Sequence, residues 1–342
     1  MERIRLGKTN LLVSKVSFGA LPIQRTDREE ALRILRAAQA GGINFFDTAR
    51  NYYDSESKLG EALQDVRGEV LIATKSAATT GEKLLDDLEI SLGELRTDYI
   101  DLFQFHIAPK CHRPGEEDGL YEAALEAKRR GTIRHLGLTA HRLDVALEAA
   151  TSGLYETIQY PFSYLSAERD IELVRTCGRE NVGFIAMKGL SGGLITDSSL
   201  ATAFMNQFGN VVPIWGIQRM NELEEFLVHA ENPPSMDDAR RRMIERDRQE
   251  LSGNFCRACG YCRPCPVGIE INWLARMPQA IRRMSPELFM TEEWVEKMER
   301  FKSCLHCGAC TKKCPYELDP PKLMEVAYED YHKFRENWLK QL

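Results

Sequence analysis

Short runs rich in β-branched and aromatic residues recur through the first two thirds of the chain, separated by segments whose apolar positions repeat at helical spacing. The runs are Val16–Ala20, Ile43–Phe46, Val70–Thr74, Ile100–Phe105, Ile133–Leu138, Thr157–Tyr160, Val182–Ala186 and Val211–Trp215. The intervening segments carry helix start and stop signals. Thr26-Asp-Arg-Glu-Glu30 opens an apolar-periodic stretch that stops at Gly41-Gly42, and Ser166-Ala-Glu-Arg-Asp170 opens another that stops near Gly178. Eight strands alternating with helices predict an α/β fold, a (β/α)8 TIM barrel. A doubly wound open sheet is the alternative, but it needs a Gly-x-Gly-x-x-Gly turn after the first strand, and Phe18-Gly-Ala-Leu-Pro-Ile23 supplies none. Ile4–Leu6 and Leu11–Val13 read as a small hairpin closing the barrel floor. After residue 232 the strand rhythm stops, with Glu231-Asn-Pro-Pro234 as a boundary. The expected domains are therefore a barrel over 1–232 and a small, mostly helical domain over 233–342.

The second region is where the cysteines gather. Eight of the ten fall in two groups, Cys256-x2-Cys259-x2-Cys262-x2-Cys265-Pro266 and Cys304-x2-Cys307-x2-Cys310-x3-Cys314-Pro315. The second matches the bacterial ferredoxin run that ligates [4Fe–4S] clusters, in which the fourth cysteine often reaches the other cluster. A disulfide framework belongs to short secreted chains, whereas this one has 342 residues and opens Met-Glu-Arg-Ile-Arg-Leu-Gly, without an apolar signal region. Zinc ribbons use two Cys-x2-Cys pairs per ion, and here each group already holds four thiols. Two [4Fe–4S] clusters are expected on these eight residues. The first group closes with x2 instead of x3, which leaves open which cluster Cys265 ligates. His306 is either an exposed loop residue or a tuning hydrogen-bond donor. Cys111 and Cys177 stand alone and read as ordinary thiols.

A net charge of −6 argues against a nucleic-acid partner. The basic run Arg240–Arg242 alternates with Asp237, Asp238, Glu245 and Asp247 and reads as a solvated helix face. No apolar stretch approaches the ~18 residues of a transmembrane helix. Clusters need reduced thiols, so the expected location is the cytoplasm, in an anaerobe.

Chemistry in such a barrel sits at the C-terminal strand ends. Four polar residues fall there: Asp47 after the second strand, Tyr52 in the following loop, Lys75 after the third and His106 after the fourth. A tyrosine with a reference pKa of about 10 is a poor acid at neutral pH, but an adjacent ammonium stabilises its phenolate. Lys75 supplies that charge, Asp47 holds Lys75 protonated, and His106 hydrogen-bonds a substrate oxygen. The set suits carbonyl reduction, with Tyr52 protonating the developing alkoxide.

Asp47-Thr-Ala-Arg-Asn-Tyr52 with Ser55-Glu56 and Leu59–Leu63, then Ala73-Thr-Lys75, then Asp101-Leu-Phe-Gln-Phe-His106, resembles the aldo/keto reductase family over roughly residues 1–230. With the cysteine groups, the whole chain resembles the branch of that family with a C-terminal ferredoxin-like domain. The resemblance implies that Asp47, Tyr52, Lys75 and His106 form the family's catalytic tetrad. It also implies an extended nicotinamide dinucleotide contacted by Gly19, Thr139, Gln159, Lys188, Gly216, Gln218, Arg219 and Glu225. Departures bear on which nucleotide that is: Gln218 stands where a basic residue usually grips the 2′-phosphate, Phe226 where an Asn usually lies near adenine, and Tyr53 where Gly usually follows the catalytic tyrosine. Arg219 is the alternative cation. NADP(H), NAD(H) and loss of dinucleotide binding all stay open.

Nicotinamides exchange hydride, whereas clusters exchange single electrons, and flavin, the usual bridge, has no motif here. The leading expectation is an oxidoreductase acting on a small carbonyl or alcohol. The alternatives are a cluster-based electron-transfer or redox-sensing protein, an interaction module of a larger redox complex, and a reductase driven by ferredoxin or another electron-transfer partner without nicotinamide.

Overall fold

The computed structural model describes residues 1–251, 255–258, 260–314 and 316–340. Two strands, β1 (Arg3–Arg5) and β2 (Leu12–Ser14), form an antiparallel hairpin. Eight parallel strands then close a barrel: β3 (Ser17–Gly19), β4 (Phe45–Asp47), β5 (Leu71–Ser76), β6 (Ile100–Phe105), β7 (Ile133–Thr139), β8 (Thr157–Pro161), β9 (Gly183–Met187) and β10 (Val211–Gly216), with β10 pairing back to β3. The barrel helices are α1 (Arg28–Ala40), α2 (Ser55–Leu63), α3 (Gly81–Glu94), α4 (Leu120–Arg130), α5 (Leu143–Thr151), α6 (Glu168–Arg179), α7 (Ser198–Met205) and α8 (Met220–Glu231). The eightfold alternation expected from the periodicity is the observed architecture, and the doubly wound alternative falls away.

Local chemistry sets the element bounds. Helix α1 starts two residues later than the Thr26 signal, because Asp27 is the cap: its carboxylate accepts from the Glu30 amide at 3.0 Å. Strand β4 starts at Phe45 and not at Ile43. The Asn44 side chain accepts from Ser14 N at 2.7 Å and donates to Leu12 O at 2.9 Å, tying this edge to the hairpin. The hairpin seals the floor with apolar surface, Leu6 and Val13 packing with Phe45, Leu102, Ile185 and Val212 of the strands. Gly7 makes this approach possible. Its φ is +52°, and a Cβ there would lie 2.2 Å from Gly183 N.

The chain divides into two compact units, Met1–Gly189 with Ser198–Met236, and Leu190–Asp197 with Asp237–Leu342. The division thus falls a few residues beyond the expected 232/233 boundary, and the segment between β9 and α7 is counted with the second unit. Arg276 donates to Ser191 O and Gly192 O at 3.4 and 3.2 Å, and Arg283 donates to Leu194 O at 3.0 Å. The second unit carries α9 (Asp238–Glu250), α10 (Ile271–Leu274), α11 (Met277–Arg283), α12 (Glu292–Glu299), α13 (Ala309–Lys312) and α14 (Pro320–Leu339). Ile271, Leu274, Met277, Phe289, Met298 and Met324 make its core, and buried Tyr331 donates to Phe289 O at 2.7 Å. Among the described residues no helix is long and apolar enough to cross a membrane.

Candidate functional site

Strand register brings the predicted polar residues to one end of the barrel. Gly216 pairs with Gly19, Gly19 with Asp47, Lys75 with Gln104, and Thr139 with Gln159. His106 directly follows β6, its amide donating to Ser76 O at 2.8 Å. Lys75 Nζ lies 2.6 Å from Asp47 Oδ2 and donates to Thr48 O at 2.6 Å, with both side chains of the ion pair buried. Burial works against the ammonium, but the Asp47 charge and hydrogen bond, together with the neighbouring Tyr52 hydroxyl, outweigh it and hold Lys75 above its ordinary value.

Tyr52 is half-buried, its ring centroid 5.2 Å from Lys75 Nζ and 5.6 Å from the His106 ring, which it meets edge to face. Burial raises the Tyr52 phenol and the Lys75 charge opposes that rise. The net shift is upward, so desolvation outweighs the phenolate stabilisation expected of Lys75 in the protein alone. His106 is pushed down to about 3, by burial first and by the Lys75 ammonium second. Its imidazole is therefore neutral at working pH, and its Nδ1 is buried without a partner among the described residues.

The loop that presents Tyr52 is tied down on both sides. Arg50 N donates to Lys75 O at 2.9 Å, and the Thr48 and Ser55 hydroxyls lie 2.9 Å apart. Glu56 is buried, accepts from Thr74 Oγ1 at 2.6 Å and pairs with Arg50, so the Ser55-Glu56 part of the motif is scaffolding for the loop. Tyr53 follows with φ +43° and 86 % exposure. That left-handed conformation is costly for an aromatic residue.

The residues expected to contact a dinucleotide divide into two sets. Gly19, Thr139, Gln159 and Gly216 sit on the same strand ends as the tetrad. Thr139 Oγ1 accepts from Ile107 N at 2.7 Å, fixing the turn after His106. Lys188 just follows β9 with φ +59°. Gln218 and Arg219 enter α8, and both amides donate to the Glu222 carboxylate, at 2.9 and 3.2 Å. Glu225 instead turns its carboxylate to Ser198 Oγ, which also meets His229 Nε2 at 2.7 Å. Phe226 is buried and stacked on Trp215, with centroids 4.5 Å apart.

Gln104 escaped the sequence reading. Its Nε2 donates to Gln159 Oε1 at 2.9 Å and to Asp47 Oδ1 at 3.3 Å, and Gln159 Nε2 donates to Asp47 Oδ2 at 3.4 Å. The available signal was its place two residues before His106, which puts both side chains on one side of the strand. Glu222 was missed as well, although an acid three residues into a helix is a capping signal.

In the second unit the cysteines border two recesses. One, of about 410 Å³, is lined by Cys262, Cys265, Cys304, Cys307 and Cys310. The other, of about 360 Å³, is lined by Cys256, Cys262 and Cys314. The fourth cysteine of each run thus lines the recess that holds most of the other run's described thiols. Cys259 lies outside the described residues. Thiols in recesses with neither imidazole nor carboxylate in the lining fit an iron–sulfur group. Cys111 and Cys177 belong to the barrel unit, and burial raises both thiols, Cys177 to about 12.

Comparison with known proteins gives matches to both units. The family model described as "Aldo/keto reductase family" matches residues 15–227, and that described as "4Fe-4S dicluster domain" matches residues 255–319. The uncharacterized oxidoreductase YqkF of Bacillus subtilis (strain 168) is 30% identical over 226 residues, covering 61% of this chain and 72% of that protein. L-galactose dehydrogenase of Arabidopsis thaliana is 29% identical over 222 residues, covering 58% and 68%. Among solved structures, the holo form of aldo-keto reductase AKR11C1 from Bacillus halodurans superposes with a TM-score of 0.64 at 23% identity, covering 72% of this chain and 96% of that one. An aldo-keto reductase from Klebsiella pneumoniae in complex with NADPH gives 0.62 at 19% identity, covering 72% and 94%. At those identities the superpositions speak to fold alone.

Proposed function

The chain belongs to the aldo/keto reductase family, an oxidoreductase barrel with a 4Fe-4S domain, and we propose that it interconverts a small carbonyl and its alcohol using a nicotinamide dinucleotide, with Tyr52 as general acid and base. The observation that carries this reading is the buried Lys75 ammonium, held by Asp47 beside a Tyr52 ring that meets the neutral His106 ring edge to face. A bound nicotinamide would supply hydride to the carbonyl carbon, or take it from the alcohol carbon.

This chain's residues manage the oxygen and its proton. In reduction, Tyr52 gives its phenolic proton to the oxygen as charge builds there, and the phenolate left behind is stabilised by Lys75. In oxidation the same phenolate takes the proton back. Neutral His106 would offer a ring N–H to the substrate oxygen and fix its approach. Gln159 spends one amide hydrogen on Asp47 and one acceptor site on Gln104. One donor and one acceptor remain, the complement of a primary carboxamide such as that of nicotinamide. Glu222 takes the amides at the start of α8, where an anion would otherwise bind. With Gln218 in place of a basic residue, this favours NAD(H) over NADP(H).

In the second unit the reading is two [4Fe–4S] clusters, one on Cys265, Cys304, Cys307 and Cys310, the other on Cys256, Cys259, Cys262 and Cys314. When bound they would supply one-electron exchange.

The test is anaerobic titration with NADH and NADPH, followed by turnover with a panel of small aldehydes and quinones. Tyr52→Phe is expected to lower turnover by about 10²–10⁴-fold, the usual worth of a positioned acid, while nucleotide affinity holds. Failure of both nucleotides to bind, or full turnover in Tyr52→Phe, overturns the reading.

A further inference from the structure

The two recesses differ in their access to solvent. Cys307, in the lining of the larger one, is exposed, and Leu305 beside it is 65% exposed. Pro264 and Pro266, also in that lining, reach the surface. The smaller recess is bordered instead by Leu318, Pro320 and Leu323, of which the first two are buried.

The segment is also basic, and Arg257 is the cation in the lining of the smaller recess. Residues 255–314 contain ten Lys and Arg against six Asp and Glu, in a chain whose net charge is −6. Three of those cations adjoin the larger recess. Arg263 directly precedes Pro264 and Cys265. Lys312 and Lys313 lie three residues beyond Ala309 and Cys310, which both line the recess, so on a helical path they stand over those residues. All three are exposed, and among the described residues none is drawn into an ion pair. An exposed apolar centre within an uncommitted basic rim has the anatomy of a protein interface, and the basic rim specifies an acidic partner.

We propose that this face, centred on Leu305 and Cys307 and rimmed by Arg263, Lys312 and Lys313, is the docking surface for a small acidic one-electron carrier protein. The proposal rests on the iron–sulfur reading of the larger recess and adds to it a direction: the carrier meets the recess of Cys304, Cys307 and Cys310, not that of Cys256 and Cys314. Such encounters are small and weak, so steering by charge decides whether they form.

The test uses the anaerobically purified, iron-loaded full chain and an acidic plant-type [2Fe–2S] ferredoxin as probe, with a basic c-type cytochrome as control. Binding is followed by surface plasmon resonance. Ferredoxin should bind at low salt and be released as ionic strength rises toward about 0.2 M, where exposed charges are screened beyond ~7–8 Å. Lys312→Glu with Lys313→Glu should weaken binding by about tenfold or more, since two carboxylates then face an acidic partner. Iron content and the cluster visible spectrum verify that the variant is loaded. If it is not, Lys312→Gln with Lys313→Gln takes its place, with a smaller loss expected. No ferredoxin binding, binding indifferent to salt, equal binding of the cytochrome, or an unchanged affinity in the loaded variant each overturns the proposal. Titration with NADH is independent of this face, so failure here and failure of the hydride reading are told apart.

Discussion

The barrel and the cysteine-rich unit reach order by different means. In the barrel, eight strands satisfy one another's backbone groups in a closed ring, and the polar site at the strand ends is internally bonded: Lys75, Asp47, Gln104 and Gln159 form one connected set. In the second unit, helices surround a modest apolar core, and two recesses bring thiols together. The first region carries its functional geometry in the protein itself, while the second is arranged around groups that must be added. Pre-organisation of the one and dependence of the other is the lesson, because a buried hydrogen-bonded network is rigid without a ligand, whereas small metal domains gain much of their folding energy from the metal.

The largest expected effect separates the two outright. Removing iron with a chelator should release α10–α14 to rapid hydrogen exchange and proteolysis, while strands β3–β10 keep their protection. Equal loss in both regions, or none in either, would sink the contrast. Next in size is an acid effect confined to the barrel. His106 is held to about 3 in the folded chain against an ordinary 6.5, so the unfolded chain binds the extra proton between those values. Its contribution to stability is complete above pH 6.5, falls steadily down to about pH 3, and is then spent. Hydrogen exchange on β6 should therefore show a steeper acid loss in the wild type than in His106→Gln; parallel curves would refute it. The smallest effect sharpens the account of pre-organisation. Gln104→Leu leaves Asp47 and Gln159 without a shared donor and should cost about 1–3 kcal/mol in thermal unfolding. It should also weaken dinucleotide binding more than it slows turnover; the reverse split would assign Gln104 a different part.

What could be read from the sequence follows from how local each cause is. The strand and helix rhythm is written in consecutive residues, as are the strand-end positions of Asp47, Lys75 and His106, so fold and placement were both legible. The transfer of Leu190–Asp197 to the second unit was not, since it depends on Arg276 and Arg283, more than eighty positions away. Phe226 showed only as a departure from a motif, and its reason is tertiary: it stacks on Trp215. Glu225 is equally opaque from its neighbours, because Ser198, which holds its carboxylate, belongs to another helix. The spacing of the first cysteine run stated how many thiols were present, but only the folded loops show which recess Cys265 faces. Gln104 was readable and unread, a polar residue on the His106 side of β6.

The crossing of Cys265 and Cys314 between recesses bears on biosynthesis. Each pocket draws on both runs, so a nascent chain that has emerged only as far as the first run possesses neither. The ring of thiols around Cys256 and Cys262 closes when Cys314 leaves the ribosome, some fifty residues after Cys262. By then the whole barrel, including its last helix, has already been synthesised. If both recesses take clusters, their assembly would be a late step of maturation, acting on a chain whose barrel has had time to fold.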